Sequence, residues 1–285
     1  MQISGIQTDV VLGDRQANLD TLAATAAAEA DKGSRLIVFP ECFVTGYCFD
    51  SFDEAMSVAE PVTGQATEFA TDVCQKHNCF TVFGMLESDA GRLFNTAVLV
   101  GPNGLVGSYR KVHLPYLGVD RFTTHGDRPF EIFEADGVRI GMLICYDGGF
   151  PESVRSLAVL GADVVVLPTN WPPGAEGVAE YASNCRALEN GIYFAAVNRV
   201  GIERGFRFIG YSRVCEPTGT TLDTADHDQA AVVRGTIDVS RSRQKRIVRV
   251  PGKHVIDRMA DRRPEMYDVL CRPHSLPRPG RDEPA

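Results

Sequence analysis

Three residues of the chain have side chains suited to nucleophilic catalysis, and each closes a segment that is predicted to be a strand. Cys145 ends the apolar run 140–144, Glu41 follows the apolar run 36–39, and Lys111 ends the segment VGSYRK. A thiolate can attack a carbonyl or nitrile carbon when a base takes its proton and a donor stabilises the developing oxyanion. We therefore expect Cys145 to be the nucleophile, Glu41 the base and later the acid, and Lys111 the oxyanion stabiliser. This scheme needs no metal and no organic cofactor.

The elements around Cys145 are predicted to place it at the end of a buried strand. Residues 140–144 have the length and composition of such a strand, and a turn with two glycines follows. Pro151 and Glu152 are typical of the first turn of a helix, and a second β-branched run at 163–167 completes a strand–helix–strand unit. Open α/β sheets bind ligands at such strand ends. The helix amino terminus is also expected to lower the pKa of the thiol.

Composition restricts the class of protein. The chain has 285 residues, of which 44% are hydrophobic, and a formal net charge of −8, which argues against a nucleic-acid binder. No apolar run reaches the roughly 20 residues of a membrane span, and the first residues enter a strand pattern without a signal core. The eight cysteines form no CxxC pair and the six histidines are dispersed. We expect reduced thiols in a cytoplasmic protein and no zinc site.

Strands and helices are predicted to alternate along the whole chain. The predicted strands are 2–8, 36–39, 80–86, 94–100, 140–144, 163–167, 193–197, 208–214 and 231–237. The predicted helices are 18–32, 63–77, 151–160 and 177–190. No linker interrupts the pattern, which predicts one α/β domain over residues 1–272. A tail rich in Pro and Arg follows at 273–285 and is expected to lie against another surface or to fray.

The motifs around the three residues identify a family. Glu41 lies in LIVFPECFVTGY, Lys111 in SYRKVHLP and Cys145 in GMLICYDGGFPE. Further motifs are FNTAVLVGPNG, LPTNWP, RALENGIYFAAVNRVG, GYSRVCEPTG and RRPEMYDVL. In these motifs the chain resembles the nitrilase superfamily of carbon–nitrogen hydrolases over nearly its whole length. The resemblance implies a four-layer αββα sandwich, catalysis by a Glu–Lys–Cys triad and a homodimer or larger homo-oligomer.

One position departs from the family pattern. The family usually has a second glutamate between the lysine and the cysteine, which hydrogen-bonds to the lysine. In this chain Asp120 falls in that place, within YLGVDRFTTHGD. Because aspartate is one methylene shorter, either the backbone lies closer or the role is weaker. We assign Asp120 a supporting role, together with Tyr146, whose backbone N–H is expected to help to bind the oxyanion.

A cysteine–histidine pair is the competing chemistry for Cys145. His113 lies two residues after Lys111, on the same strand face if the strand continues. However, no papain-like signature surrounds Cys145, and Pro115 indicates that the strand ends there. The pair remains the minor alternative.

The residues after the cysteine separate the branches of the superfamily. True nitrilases typically carry Trp-Glu there, and this chain has Tyr146 and Asp147, as the amidase and carbamoylase branches do. Gly148 and Gly149 stand where N-carbamoyl-D-amino-acid hydrolases place carboxylate-binding arginines. The chain is not expected to have the ATP-binding domain of the glutamine-fed synthetases or the membrane spans of the acyltransferases.

The expected reaction is hydrolysis of a small linear amide to a carboxylic acid and ammonia through a cysteine thioester. Tyr47, Asn170 and Trp171 are expected to line the substrate pocket. This pocket carries few fixed charges, so a neutral or cationic-tailed amide is favoured. An N-carbamoyl amine or amino acid is the alternative substrate. A catalytically silent scaffold is the alternative from another class, although the presence of all three catalytic residue types argues against it.

Overall fold

The computed structural model describes residues 1–282, which form two six-stranded β-sheets flanked by helices. The strands in chain order are β1 (Gln2–Gln7), β2 (Leu36–Val38), β3 (Phe80–Asp89), β4 (Arg92–Gly101), β5 (Gly104–Arg110), β6 (Ile132–Ala135), β7 (Val138–Met142), β8 (Val164–Thr169), β9 (Tyr193–Asn198), β10 (Ile202–Glu203), β11 (Phe206–Arg207), β12 (Arg213–Cys215), β13 (Thr221–Thr224), β14 (Ala231–Thr236), β15 (Arg246–Val250) and β16 (His254–Asp257). The α-helices are α1 (Arg15–Asp31), α2 (Phe52–Val58), α3 (Gln65–His77), α4 (Pro151–Val159), α5 (Ser183–Asn190) and α6 (Val239–Arg243).

Both sheets have parallel strands at their centre and antiparallel strands at their edges. The first sheet has the order β14-β1-β2-β3-β4-β5 and the second has the order β13-β12-β9-β8-β7-β6. β1, β2 and β3 are parallel, as are β7, β8 and β9. All six residues of β8, VVVLPT, are buried, which is typical of a parallel strand that is covered on both faces.

The hydrophobic core has an inner part between the sheets and outer parts beneath the helices. The inner part includes Ile3 and Val38 of the first sheet and Ile140 and Val166 of the second. A second cluster joins the other face of the first sheet to α1 and α3, and buried residues of α4 and α5 pack against the second sheet. The layers therefore run helix, sheet, sheet, helix. This confirms the predicted αββα sandwich.

The three residues that are predicted to be catalytic follow the carboxyl ends of three strands. β2 ends at Val38, shortly before Glu41, and β5 ends at Arg110, directly before Lys111. β3 and β4 are antiparallel, as are β4 and β5, so β5 runs in the same direction as β2. β7 ends at Met142, and Cys145 begins the turn that follows. Glu41 and Lys111 thus lie at the same edge of one sheet.

The strand predicted at 208–214 is wrong over most of its length. Only Arg213–Cys215 belongs to a strand there. The φ angles of Gly210 and Tyr211 are 66° and 58°. These values lie in the left-handed region, which interrupts an extended chain. The other predicted strands are present, with ends that differ by a few residues.

Several short elements were not predicted from the sequence, among them α2 and the hairpin of β15 and β16. α2 begins at Phe52, and the Ser51 side chain caps it by accepting from the Glu54 N–H at 3.1 Å. The hairpin of β15 and β16 lies within the basic stretch 241–263.

The predicted tail is described as far as Asp282, and residues 283–285 of that prediction lie outside the described residues. None of the helices found between residues 1 and 282 is long and apolar enough to cross a membrane.

We expect Gly84→Ala to destabilise the turn that carries Glu41. A Cβ at position 84 would lie 2.2 Å from the Cys42 backbone nitrogen. The Gly84 N–H also donates to the Pro40 carbonyl at 3.1 Å, so strand and turn are held together. The substitution should lower the free energy of unfolding by about 1–3 kcal/mol, measured by urea denaturation. Gly177→Ala is the control, because a Cβ there meets no atom within 4 Å. Equal stabilities of the two variants would contradict the prediction.

Candidate active site

A buried ammonium group stands at the centre of the site. Lys111 Nζ lies 2.7 Å from Glu41 Oε1 and 2.5 Å from Asp120 Oδ2, and all three side chains are fully buried. Burial alone would lower the pKa of Lys111, but the carboxylates of Asp120 and Glu41 raise it well above its ordinary value. The lysine therefore carries a positive charge throughout the neutral range. Asp120 fills the place predicted for the second acid, and the shorter side chain still reaches the lysine.

Asn95 links the two carboxylates and was missed from the sequence. It lies on β4, and its Nδ2 donates to Glu41 Oε1 at 2.7 Å and to Asp120 Oδ1 at 2.9 Å. Its Oδ1 accepts from the Cys42 thiol at 3.5 Å. The signal in the sequence was an asparagine inside the apolar segment FNTAVLV, because a polar side chain in a buried strand needs hydrogen-bond partners. In the structure Asn95 is fully buried.

The Glu41 carboxylate has one bound and one unbound oxygen. Oε1 accepts from Lys111 and Asn95, and Oε2 is buried with no partner among residues 1–282. Burial raises the pKa of Glu41, and Asp120 adds to the rise, while Lys111 and Asn95 oppose it. A carboxylate with a raised pKa is a stronger base than an exposed glutamate.

Cys145 begins a short 3₁₀ helix, Cys145–Gly149, in a backbone conformation that is rare for a residue with a side chain. Its φ is 45° and only 6% of its surface is exposed. The pKa of the thiol is raised to about 12, because burial and the neighbouring Glu41 carboxylate together outweigh the lowering by Lys111 and the Thr169 hydroxyl. The predicted lowering by a helix amino terminus is therefore wrong for the resting protein. Desolvation of the thiolate is the largest cause of the rise, so a base has to remove the proton.

Asp147 holds the turn that presents Cys145. One of its oxygens accepts from the Ile144 N–H at 3.1 Å and from the Tyr109 hydroxyl at 2.9 Å. The other lies 2.9 Å from His113 N and 2.7 Å from His113 Nδ1. The imidazole of His113 is therefore bound to Asp147, and no hydrogen bond joins it to Cys145 among the described residues. The structure does not bring together the alternative cysteine–histidine pair.

Tyr47 supports Asp120 and does not line an open pocket. It is 1% exposed, and its hydroxyl donates to Asp120 Oδ2 at 2.9 Å. Glu203 accepts from the backbone N–H groups of Tyr47 and Cys48 at 2.8 and 2.5 Å, and Arg199 Nη1 donates to Glu203 at 2.7 Å. This buried ion pair fixes the Tyr47 loop. The sequence analysis missed Arg199 and Glu203, although a polar pair in RVGIERG was visible.

The remaining predicted residues lie around Glu41 and Cys145 with different degrees of burial. Asn170 is fully buried, and its Nδ2 donates to the Glu41 carbonyl at 3.0 Å. Trp171 is 3% exposed, and Tyr146 is 47% exposed. No group of three or more His, Cys, Asp or Glu side chains within residues 1–282 could hold a metal ion. The catalytic and binding roles of the predicted residues stay predictions at this point.

The sandwich and the clustered Glu, Lys and Cys side chains define a class of enzyme that cleaves carbon–nitrogen bonds. The sequence profile of the carbon-nitrogen hydrolase family matches residues 2–247, and the chain belongs to that family. It is thus a carbon–nitrogen hydrolase of the nitrilase superfamily, as the motifs predicted.

Curated relatives include both nitrilases and amidases by name. The chain is 39% identical to a "Nitrilase" of Pyrococcus abyssi, covering 84% of this chain and 88% of the relative. It is 35% identical to an "(R)-stereoselective amidase" of a Pseudomonas species, covering 80% and 82% of the two chains. It is 29% identical to the human "Omega-amidase NIT2", covering 85% and 87%.

Solved structures of similar proteins include an amidase from Nesterenkonia sp. AN1. One structure of a mutant of that amidase matches this chain with a TM-score of 0.77 and 26% identity, covering 95% of this chain and 99% of the other. In that mutant, acrylamide has undergone Michael addition at the active site cysteine. The similarity therefore extends to amidases that have an active site cysteine.

We expect Asn95→Ala to move the acid limb of the pH–kcat/KM profile to higher pH. The Asn95 N–H stabilises the Glu41 carboxylate and lowers its pKa. Without this hydrogen bond Glu41 stays protonated up to a higher pH, and a protonated carboxyl group cannot act as the base. A shift of about one pH unit corresponds to the loss of one such hydrogen bond. Kinetic measurements from about pH 5 to about pH 9 determine the position of the acid limb. An unmoved limb in a folded variant would contradict the prediction.

Proposed function

We propose that the protein hydrolyses a small linear amide to a carboxylic acid and ammonia through a thioester on Cys145. The observation that carries this proposal is a pair of buried acceptors, Glu41 Oε2 and Asn170 Oδ1, which have no donor among the described residues. Asn170 donates through Nδ2 to the Glu41 carbonyl, which fixes which end of its side chain is the acceptor. The NH₂ group of a primary amide offers two N–H donors for these acceptors, and a nitrile offers none.

In the first half of the reaction the amide becomes a thioester. Glu41 takes the proton of the Cys145 thiol, and the sulfur attacks the carbonyl carbon. The oxyanion that forms accepts from Lys111 Nζ and from the Tyr146 backbone N–H. Glu41 then gives its proton to the amide nitrogen, the carbon–nitrogen bond breaks, and ammonia leaves.

In the second half the thioester is hydrolysed. Glu41 takes a proton from water, the hydroxide oxygen attacks the thioester carbon, and Lys111 again stabilises the oxyanion. The carbon–sulfur bond breaks, the sulfur recovers its proton, and the carboxylic acid leaves. The positive charge on Lys111 is favoured by both carboxylates, so the lysine acts as a fixed electrostatic group and not as a proton donor.

Nitrile hydrolysis is the second candidate, because the Pyrococcus abyssi relative is named a nitrilase. The local structure favours the amide. Asp147 follows Tyr146 at the position of the nitrilase glutamate, and its carboxylate is fully buried and bound to the turn and to His113. We infer that this carboxylate serves the loop and not the substrate.

A panel of four substrates tests the proposal: a short aliphatic amide, its ω-carboxylate analogue, an N-carbamoyl amine and the matching nitrile. We expect the neutral amide to release ammonia with the highest kcat/KM and the nitrile to react poorly. Cys145→Ala should abolish turnover, and Cys215→Ala, which changes another buried cysteine, should retain it. Added hydroxylamine should divert the thioester to a hydroxamate.

Two outcomes of this panel would contradict the proposal. Turnover by Cys145→Ala would exclude the thioester. A preference of about tenfold or more for the ω-carboxylate, worth ~1.4 kcal/mol at the transition state, would mean that a cation enters the pocket and that the neutral-amide assignment is wrong.

We also propose that two copies of the chain associate through the C-terminal segment. The hairpin of β15 and β16 pairs with no other strand in the described part of the chain, and such an isolated hairpin is marginal in water. The segment exposes apolar side chains over more than half of their surface at Val248, Met266, Val269 and Leu270. A second copy would cover them.

Light scattering coupled to size-exclusion chromatography tests the association. We expect the mass of a dimer or a larger homo-oligomer for the wild type. Val269→Asp should shift the elution towards the monomer because it places a charge in the apolar contact. Glu265→Gln, which removes a charge that already pairs with Arg263, is the control. A wild type of monomer mass would refute the association.

A further inference from the structure

The last described residues form a folded turn, which we call the C-terminal clasp (residues 278–282). Arg278 and Asp282 close it, since Arg278 Nε and Nη2 donate to the two Asp282 oxygens at 2.8 and 2.9 Å. The backbone N–H groups of Arg281 and Asp282 both donate to the Arg278 carbonyl, at 3.1 and 3.0 Å. The clasp lies beyond the family match, which ends at residue 247.

The clasp rests on the loop that carries Asp120. Gly280 crosses the ring of Tyr116 so closely that a Cβ would lie 2.2 Å from the ring, and its φ of 68° also favours glycine. Arg281 Nη2 donates to the Asp120 carbonyl oxygen at 2.6 Å. Arg281 as a whole is partly buried, and its Nε is buried with no hydrogen-bond partner among residues 1–282.

This loop needs support because it carries one of the two acids that bind Lys111. The short 3₁₀ helix Gly118–Arg121 holds Asp120, and the φ of Gly118 is 48°. On its inner side the Tyr47 hydroxyl donates to the Asp120 carboxylate at 2.9 Å and lies 3.1 Å from the Leu117 carbonyl oxygen. The Arg281 contact adds a donor to the main chain of the same residue from the C-terminal segment.

We propose that Arg281 is a positioning residue that acts through Asp120 on Lys111. By binding the Asp120 main chain, it holds the carboxylate within reach of the ammonium and so aligns the oxyanion donor. The charge-assisted hydrogen bond to a carbonyl is stronger than a neutral one, and a small displacement of a catalytic group is costly to the rate. The inference rests on the proposed roles of Asp120 and Lys111.

Arg281→Ala tests the inference by kinetics and by hydrogen exchange. We expect kcat to fall by about tenfold with KM within about twofold, because alignment is lost while the substrate still binds. Backbone amides of residues 117–121 should exchange faster, measured by mass spectrometry. Arg281→Lys keeps a charged donor and should recover most of kcat. Arg278→Ala, which opens the clasp, should change both readouts in the same direction.

Arg272→Ala is the matched control. It breaks the Arg272–Asp268 ion pair, which lies in the same C-terminal segment and has the same i,i+4 spacing as the Arg278–Asp282 pair. This variant should behave as wild type in both measurements. Unchanged exchange in Arg281→Ala would show that the clasp does not hold the loop. Faster exchange with an unchanged kcat would refute the positioning role, and so would a rise in kcat.

Asp120→Ala in the same series separates this inference from the proposed function. An inactive Asp120→Ala beside a fully active Arg281→Ala would overturn the role of Arg281 alone. A wild type that releases no ammonia from any amide would instead overturn the proposed function, while the exchange readout would still decide whether the clasp holds the loop.

Discussion

The burial of a single positive charge governs the arrangement of the site. Lys111 is removed from water, and a buried ammonium is stable only when anions and hydrogen-bond acceptors replace its hydration. Glu41 and Asp120 supply two carboxylates within 2.7 Å, and Asn95 joins these carboxylates to each other. Removing one partner of such a buried pair typically costs about 3–5 kcal/mol. The charge thus ties β5 to the turn after β2 and to the loop of Asp120.

The same exclusion of water explains why the resting thiol is held protonated. Burial, with a contribution from the neighbouring carboxylate of Glu41, raises the pKa of Cys145 to about 12. Burial also raises the pKa of Glu41. Exclusion of water therefore disfavours the ionised form of both groups. It keeps the Cys145 thiol protonated and makes the Glu41 carboxylate a stronger base. The proposed proton transfer from sulfur to Glu41 follows from this pairing, as does the need for a fixed cation at the oxyanion.

Positions remote from the reacting atoms hold this arrangement in place. Gly84 allows β3 to approach the Glu41 turn, because any side chain there would meet the Cys42 backbone. The buried Arg199–Glu203 pair binds the backbone of the Tyr47 loop, and Tyr47 in turn binds Asp120. Asp147 fixes the turn of Cys145. Each support uses a buried polar contact, which is directional and so fixes a geometry that apolar packing alone leaves loose.

The resemblance of the motifs to the nitrilase superfamily implied the αββα sandwich, and the apolar runs with the residues that end them were enough to predict the strand ends at which Glu41, Lys111 and Cys145 lie. This local prediction is possible because the apolar residues of a buried strand and the residues that end the strand are adjacent in the sequence. The contacts of Asn95, Glu203 and the clasp could not be predicted, even where the residue itself was visible in a motif, since the partner lies 25 to 161 positions away. The thiol pKa was predicted with the wrong sign, because desolvation depends on everything packed around the sulfur. What the sequence determined was the identity and local setting of the reactive groups; the tertiary structure decided their charges and partners, because electrostatic energy depends on distance and burial in three dimensions.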